Sequence, residues 1–379
     1  MAESENIPTL IELLRLQQCD AIKLSCYFCV NQPDDWHDAP GGTFQSFVVN
    51  DNAVCLDMLY AVSDMAITVI DKSSKGNGWS SKWQGVGWAR KLLFDRICAE
   101  CAQDTVIVSL DADTAFRPDY LCPVAESVSH HLMSALAVPY YHTLGDSEQV
   151  SRATIRYECY MRHYLMSLLR IHNPYAFTAL GSAMAFTVKG YLHAGGISPL
   201  QGGEDFYLLQ KFAKTGGVVL WAGDDVCVFP QGRISHRVPF GTGPAVALEL
   251  SELELKYPFY AQAAFDEVRK TFEIFPLLYD SDIETPMSAF LREQLKCNDL
   301  WEPLRRNFKS RELFVRACQQ RVDGLRILQY LKYRDYPSEV QIFEGDVVDF
   351  HNDDISRLDA YRNYLTQEEY RLRRLSVLK

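Results

Sequence analysis

The most constraining feature of this chain is an alternation of strand-like and helix-like segments through its first third. Ala21–Val30 reads as a buried strand that stops at Asn31–Gln32–Pro33, and Asn52–Val62 follows with helical spacing. Ala66–Ile70 is a second apolar strand, ending on Asp71; Gly85–Cys101 is helical; Thr105–Leu110 is a third strand, ending on Asp111. Strands separated by helices need crossover connections, which make neighbouring strands parallel. Such sheets bind ligands beyond the carboxyl ends of their strands. Asn31, Asp71 and Asp111 all fall at those ends. The expectation is an α/β fold with a mainly parallel sheet flanked by helices, carrying its site there.

The remaining segments extend this pattern. Before the first strand, Leu10, Leu13 and Leu14 repeat at helical spacing, and Thr9 with Glu12 has the spacing of a capping box. Later come a Val138–Tyr141 strand, a long Val150–Ile171 helix, a small-residue segment at Ala179–Thr187 and a Gly195–Gly196 turn. Gly202–Gly203–Glu204–Asp205–Phe206 opens a helix, Val218–Trp221 and Val226–Phe229 read as short strands, and Pro230–Gly243 is a Gly- and Pro-rich loop. From about Ala245 the chain turns into charged, aromatic helical segments broken by Pro258, Pro276, Pro286 and Pro337. The predicted organisation is therefore an α/β domain over residues 1–245 and a mostly helical C-terminal region over 246–379.

Charge and composition exclude several classes. The net charge of −11 and the lack of a long Lys/Arg run argue against nucleic-acid binding. No stretch approaches the roughly 20 apolar residues of a membrane helix, and the acidic, polar start (Met1–Asn6) is unlike a signal peptide. The expected location is the cytoplasm, free or peripheral to a membrane. Two stretches lack acids: Lys72–Phe94, with Lys72, Lys75, Lys82, Arg90 and Lys91, and Val226–Leu248, with Arg233, His236 and Arg237. Each suits an anionic ligand, though scattered surface cations would look the same. The 11 cysteines are odd in number and scattered, as for reduced thiols. The Cys26/Cys29 and Cys98/Cys101 pairs lie about 70 residues apart, far beyond a zinc-ribbon spacing, so core packing is the expected role.

Asp111 and Asp113 flank one small residue on the turn that leaves the third strand. Two carboxylates so placed can share a hard divalent cation or divide between ribose and metal. An isolated Asp-x-Asp is common, however, and is often just an acidic turn. Gly85-x-Gly87 follows a polar loop and lacks the third glycine of a dinucleotide fingerprint. As a helix start accompanied by Arg90, it can still hold a phosphate through backbone N–H groups. Glu204–Asp205 also suits the dipole at a helix start without any chemistry.

Taken in order, these motifs resemble those of GT-A glycosyltransferases, especially the family-2-like group. Ser109–Asp113 with Pro118–Leu121 resembles its Asp-x-Asp region, and Gly85–Lys91 its Gly-x-Gly-x-Ala-Arg helix start beside the donor diphosphate. Gly203–Phe206 resembles its Glu-Asp motif, and Arg233–Arg237 falls where related enzymes place a metal-binding histidine. The resemblance spans roughly residues 21–243. It implies a Rossmann-like GT-A domain that moves a sugar, hexosyl in type, from a UDP- or GDP-type donor to an acceptor hydroxyl. The acceptor would be a carbohydrate, a lipid-linked molecule or a small molecule.

The roles that the resemblance implies follow the motifs. Asp205 would be the base, with inversion at the sugar, and Glu204 would orient the acceptor or support the loop. Asp71, Gly85, Gly87, Arg90, Lys91, Asp111 and Arg233 would bind the donor, joined by Asn31 on its strand-end position alone. Asp111, Asp113 and His236 would hold the metal, the imidazole favouring Mn²⁺ over Mg²⁺. Pro239–Gly243 would supply hinges for a loop over the donor.

The sequence departs from the group in a helix before the first strand, an insertion at Gln32–Asn50, and Lys72 where a second acid is usual. The signature of processive members is absent. Two other classes share parts of the pattern. A nucleotidyltransferase would need a basic, Gly-rich phosphate loop, and Gly41–Gly42 has no Lys or Arg nearby. A non-catalytic sugar-nucleotide or carbohydrate-binding protein on the same scaffold would not need Asp111, Asp113 and Asp205 intact.

Overall fold

The computed structural model describes residues 4–17, 22–81, 83–223, 226–235, 239 and 241–377. The chain divides into two compact units, Met1–Glu158 with Phe177–Glu249, and Cys159–Ala176 with Leu250–Lys379.

In the first unit, β1 (Cys26–Asn31) and β2 (Ile67–Lys72) pair in parallel, Asn31 lying opposite Lys72, with helix α2 (Phe44–Ala61) as the crossover. The preceding helix α1 (Ile7–Arg15) begins at Asn6–Ile7, and Asn6 makes no side-chain cap. The expected capping box at Thr9 is therefore absent; Pro8 occupies the first turn, where its missing N–H costs nothing. Helix α2 starts earlier than the expected Asn52, because Thr43 caps it through Ser46 N–H at 3.3 Å. The periodicity there misleads: Phe44 and Phe47 are exposed while Asn52 is buried. Much of the Gln32–Asn50 insertion is thus helical, with a short 3-10 turn at Asp34–Asp38.

Helix α3 (Val86–Glu100) leads to β3 (Val106–Ser109), and β4 (Thr114–Phe116), helix α4 (Leu121–Ser129) and β5 (Ala135–Ala137) follow. Helix α5 (Glu148–Arg170), β6 (Met184–Thr187) and helix α6 (Val188–His193) come next, then helix α7 (Glu204–Thr215), β7 (Val218–Leu220), β8 (Val228–Pro230) and helix α8 (Thr242–Val246). The strands form a four-stranded sheet of order β3-β6-β5-β7 and the pairs β1-β2 and β4-β8. Strand β6 is antiparallel to both its neighbours, β4 is antiparallel to β8, and β1-β2 and β5-β7 are parallel. The expected mainly parallel sheet is therefore corrected to a mixed α/β arrangement of small sheets. A strand buried on both faces, as all of β6 is, has no alternation and carries no record of its direction. The ladder of β5 also lies earlier than the expected Val138–Tyr141, where Tyr140 forms an isolated bridge with Val228.

The second unit is built of helices α9 (Leu250–Lys256), α10 (Gln262–Ile274), α11 (Ser288–Leu295), α12 (Glu302–Asn307), α13 (Arg311–Arg321), α14 (Gly324–Tyr333) and α15 (Ile355–Val377). The hairpin β9 (Ile342–Phe343) and β10 (Asp346–Val347) turns through Glu344 and Gly345, both at positive φ. Phe265, Val268, Phe290, Leu291, Phe314 and Ile327 are fully buried. So is an ionic cluster in which Glu369 meets Arg162 at 2.7 Å and Arg373 at 2.6 Å. Burial of such a group is tolerated only while its charges are matched.

No helix among the described residues is long and apolar enough to cross a membrane. The thiols of Cys26, Cys29, Cys98 and Cys101 are free. Cys122, however, is disulfide-bonded, which corrects the expectation of reduced thiols throughout; scattered spacing carries no pairing signal.

Candidate functional site

Three of the motifs meet at one side chain. Arg90, on the second turn of α3, is 7% exposed, and its guanidinium donates to Asp111 Oδ1 at 2.5 Å and to Glu204. Asp205 adds to the same field. Two glycines make room for this arrangement. A Cβ at Gly181 would overlap the Arg90 guanidinium, and one at Gly87 would overlap the backbone of Leu200, in the loop leading to Glu204. Gly85, at φ 96°, turns the chain into α3 in a conformation that side chains disfavour.

One cation thus faces three carboxylates. Burial pushes the Arg90 pKa down, but Asp111, Glu204 and Asp205 outweigh it and hold it above its ordinary value. Burial is the main reason that Glu204 and Asp205 hold their protons more tightly than ordinary carboxyls; Arg90 pulls the other way in both cases. Glu204 is 2% exposed, whereas Asp205 keeps part of its surface. A carboxylate with a raised pKa, beside a fixed partner, is suited to taking a proton.

Asp113 is reached by a different route. The antiparallel pairing of β4 with β8 sets Thr114 opposite Pro230, which brings the residues after β8 beside the Asp-x-Asp turn. Arg233 there donates to Asp113 Oδ2 from Nη2 at 2.6 Å and from Nε at 3.0 Å. The acidic pair is therefore matched by Arg90 on one side and Arg233 on the other.

The other expected donor groups have partners of their own. Asp71 caps its own loop: it accepts from Ser73 N at 2.8 Å, Ser74 N at 2.9 Å and Asn77 Nδ2 at 3.1 Å. Burial alone would raise its pKa, but these hydrogen bonds win and bring it down to about 2. Asn31, at the end of β1, accepts from Asn52 through its carbonyl at 3.4 Å. Lys91 pairs with Asp95 one turn along α3 at 2.6 Å. His236, Arg237 and Lys82 lie outside the described residues.

The basic stretch at 72–94 is acid-free only along the chain. Asp34 of the insertion accepts from Gly76 N at 2.7 Å, Asp35 from Ser81 Oγ at 3.0 Å, and Asp38 pairs with Lys75 at 3.4 Å. The insertion therefore packs on the loop after β2, at the carboxyl ends of β1 and β2.

Sequence reasoning missed a buried chain of polar groups in the same unit. His142, 1% exposed, bonds through Nδ1 to Glu158 Oε2 at 2.8 Å and through Nε2 to Thr242 Oγ1 at 3.2 Å. A lone histidine after a strand and a glutamate mid-helix carry no shared signal.

No group of three or more His, Cys, Asp or Glu side chains suited to a metal occurs among the described residues. The chemistry of the donor set still fits a hard divalent cation. The Asp111 side chain is 43% exposed, so its carboxylate stays open to a ligand besides Arg90. Cations bound by one or two carboxylates complete their shells with phosphate oxygens and water.

No protein-family model matches the chain, and no curated protein matches it. Among solved structures it is similar to S. aureus TarS (residues 1–349, in complex with UDP-GlcNAc), at 9% identity and a TM-score of 0.34, covering 87% of this chain and 97% of that one. It is also similar to GalNAc-T7 with UDP, GalNAc and Mn²⁺, at 12% identity and a TM-score of 0.33, covering 74% of this chain and 56% of that one. Overlaps this loose say nothing about chemistry; the side chains do.

Proposed function

We propose that this chain is a metal-dependent glycosyltransferase with a GT-A-like domain over residues 1–245. It moves a sugar from a nucleoside-diphosphate donor to an acceptor hydroxyl with inversion. The observation that carries this reading is the single guanidinium of Arg90, which joins Asp111 to Glu204. Three motifs distant in sequence, and named for donor, metal and base, share one ionic cluster.

In this reading Asp205 accepts the acceptor's proton as the new C–O bond forms, because its raised pKa brings it nearer to working pH. Glu204, fixed by Arg90, holds the start of α7 in place. Asp111 and Asp113, with His236, would hold the divalent cation. When bound, that ion supplies charge neutralisation for the departing diphosphate. Arg233 and the start of α3 at Gly85 and Gly87 add positive potential for the same diphosphate. Asn31, Asp71 and Lys91 would line the nucleoside end, the saturated Asp71 carboxylate organising its loop rather than reading the base by itself.

Incubation with UDP-, GDP- and dTDP-sugars, with and without Mn²⁺, tests the proposal through thermal shift and release of nucleoside diphosphate. Product NMR then tests inversion: a retained anomeric configuration removes Asp205 from its role.

A further inference from the structure

We infer that Tyr191, Asp95 and Lys211 form a clamp on the segment 195–203 that positions Glu204 and Asp205 against Arg90; its catalytic readout rests on the transferase reading above. The segment runs from the Gly195–Gly196 turn to Gly203, and Gly195, Gly196 and Gly203 sit in the left-handed region, with φ of 79°, 67° and 72°. A chain with such freedom at both ends has no conformation of its own to impose on the catalytic carboxylates. Its position must come from what grips it.

The grips come from Tyr191 on α6, which is held in turn by Asp95 of α3, and from Lys211 on α7. On the α3 side, the Tyr191 hydroxyl donates to Asp95 Oδ1 at 3.1 Å and accepts from Ile197 N at 3.1 Å. Tyr191 is 1% exposed and its ring lies beneath Gly196. Burial keeps the phenol protonated, so it remains a donor to Asp95. The other oxygen of Asp95 takes Lys91 at 2.6 Å, so the expected donor ligand Lys91 braces the clamp. On the α7 side, Lys211 Nζ donates to Gly196 O at 2.7 Å and Ser198 Oγ at 3.1 Å. Beyond these grips, on the way to Glu204, the Leu200 backbone lies against Gly87. Helix α3 therefore meets this segment directly at Gly87, indirectly where Asp95 holds Tyr191, and at its end through Arg90, while Lys211 sits on the helix that Glu204 and Asp205 begin.

The test uses the full chain with Tyr191→Phe and Lys211→Met, the conservative Lys211→Arg, and Val124→Ala as a purely destabilising control in α4. Hydrogen–deuterium exchange over 195–206 should quicken at least about fivefold in Tyr191→Phe and Lys211→Met, and not in Val124→Ala. Transfer assays should show kcat falling roughly tenfold or more, with donor KM within about twofold, as expected of misplaced catalytic groups. Lys211→Arg should recover most of kcat, and Val124→Ala should lower Tm without moving it. Unchanged exchange in both clamp variants overturns the inference, as does faster exchange with unchanged kcat. If the wild type turns over no donor, the transferase reading falls, and the exchange experiment alone decides whether the clamp exists.

Discussion

Arg90 and Asp111, separated by 21 positions in sequence, are joined by an ion pair of 2.5 Å from a guanidinium that also holds the buried Glu204. A buried arginine between two carboxylates has little reason to exist as a stability device alone, since desolvating Arg90 and Glu204 costs more than hydrophobic packing would. Its value is geometric, because the planar fork fixes two carboxylates relative to each other.

Arg90→Lys should retain the fold but not the fork. Lysine supplies a point charge that cannot serve both partners, so kcat/KM should fall by about 100-fold or more. Arg90→Ala leaves Glu204 buried without its countercharge and should cost about 3–5 kcal/mol in urea unfolding.

Asp205→Asn should lower kcat by about 10²–10⁴-fold while leaving donor affinity intact, since a general base acts in the chemical step. In the wild type the acid limb of the pH–rate profile should lie above the ordinary carboxylate range, because Asp205 and Glu204 both bind protons more tightly than usual. The sign for stability is the reverse of the usual acidic case. A raised folded-state pKa gives stability that is fully present below the unfolded value and is lost as pH rises through the folded one. Relative to wild type, Asp205→Asn should therefore gain stability as pH rises through that range, in unfolding measured at several pH values.

Asp71 behaves oppositely. Its pKa of about 2 lies below the unfolded 3.8, so its contribution is present above the unfolded value and fades as pH falls towards 2. The Tm difference between wild type and Asp71→Asn should be positive at neutral pH and shrink on acidification. A difference independent of pH would mean that the Ser73, Ser74 and Asn77 hydrogen bonds do not select the charged form.

Gly181→Ala places a methyl group against the Arg90 guanidinium. Overpacking of this kind costs about 1–3 kcal/mol, and here it should also cut turnover at least about tenfold by separating Arg90 from Asp111. A variant with wild-type turnover would show that Arg90 has room to move without consequence.

The sequence made some of this legible and hid the rest for identifiable reasons. Strand-end positions exposed Asn31, Asp71 and Asp111, because polar residues closing apolar runs are visible in one dimension. The meeting of Arg90 with Glu204 was not visible in one dimension, for it depends on Gly87 and Gly181 allowing close approach. Arg233 was found by local charge, but its partner Asp113 depends on the β4–β8 ladder, whose antiparallel direction no periodicity records. The start of α2 was misplaced because Phe44 and Phe47 face outward. The His142–Glu158–Thr242 chain joins residues from three separate segments, each unremarkable alone.

The central claim is that Asp111 and its cation act on a nucleoside-diphosphate sugar. The most direct measurement is nucleoside diphosphate release from a panel of UDP-, GDP- and dTDP-sugars, by the wild type with Mn²⁺, the wild type with EDTA, and Asp111→Asn with Mn²⁺. Release from at least one donor is expected in the first case, and a loss of about 100-fold or more in the other two. Release that persists in EDTA and in Asp111→Asn, or no release from any donor, would contradict that claim.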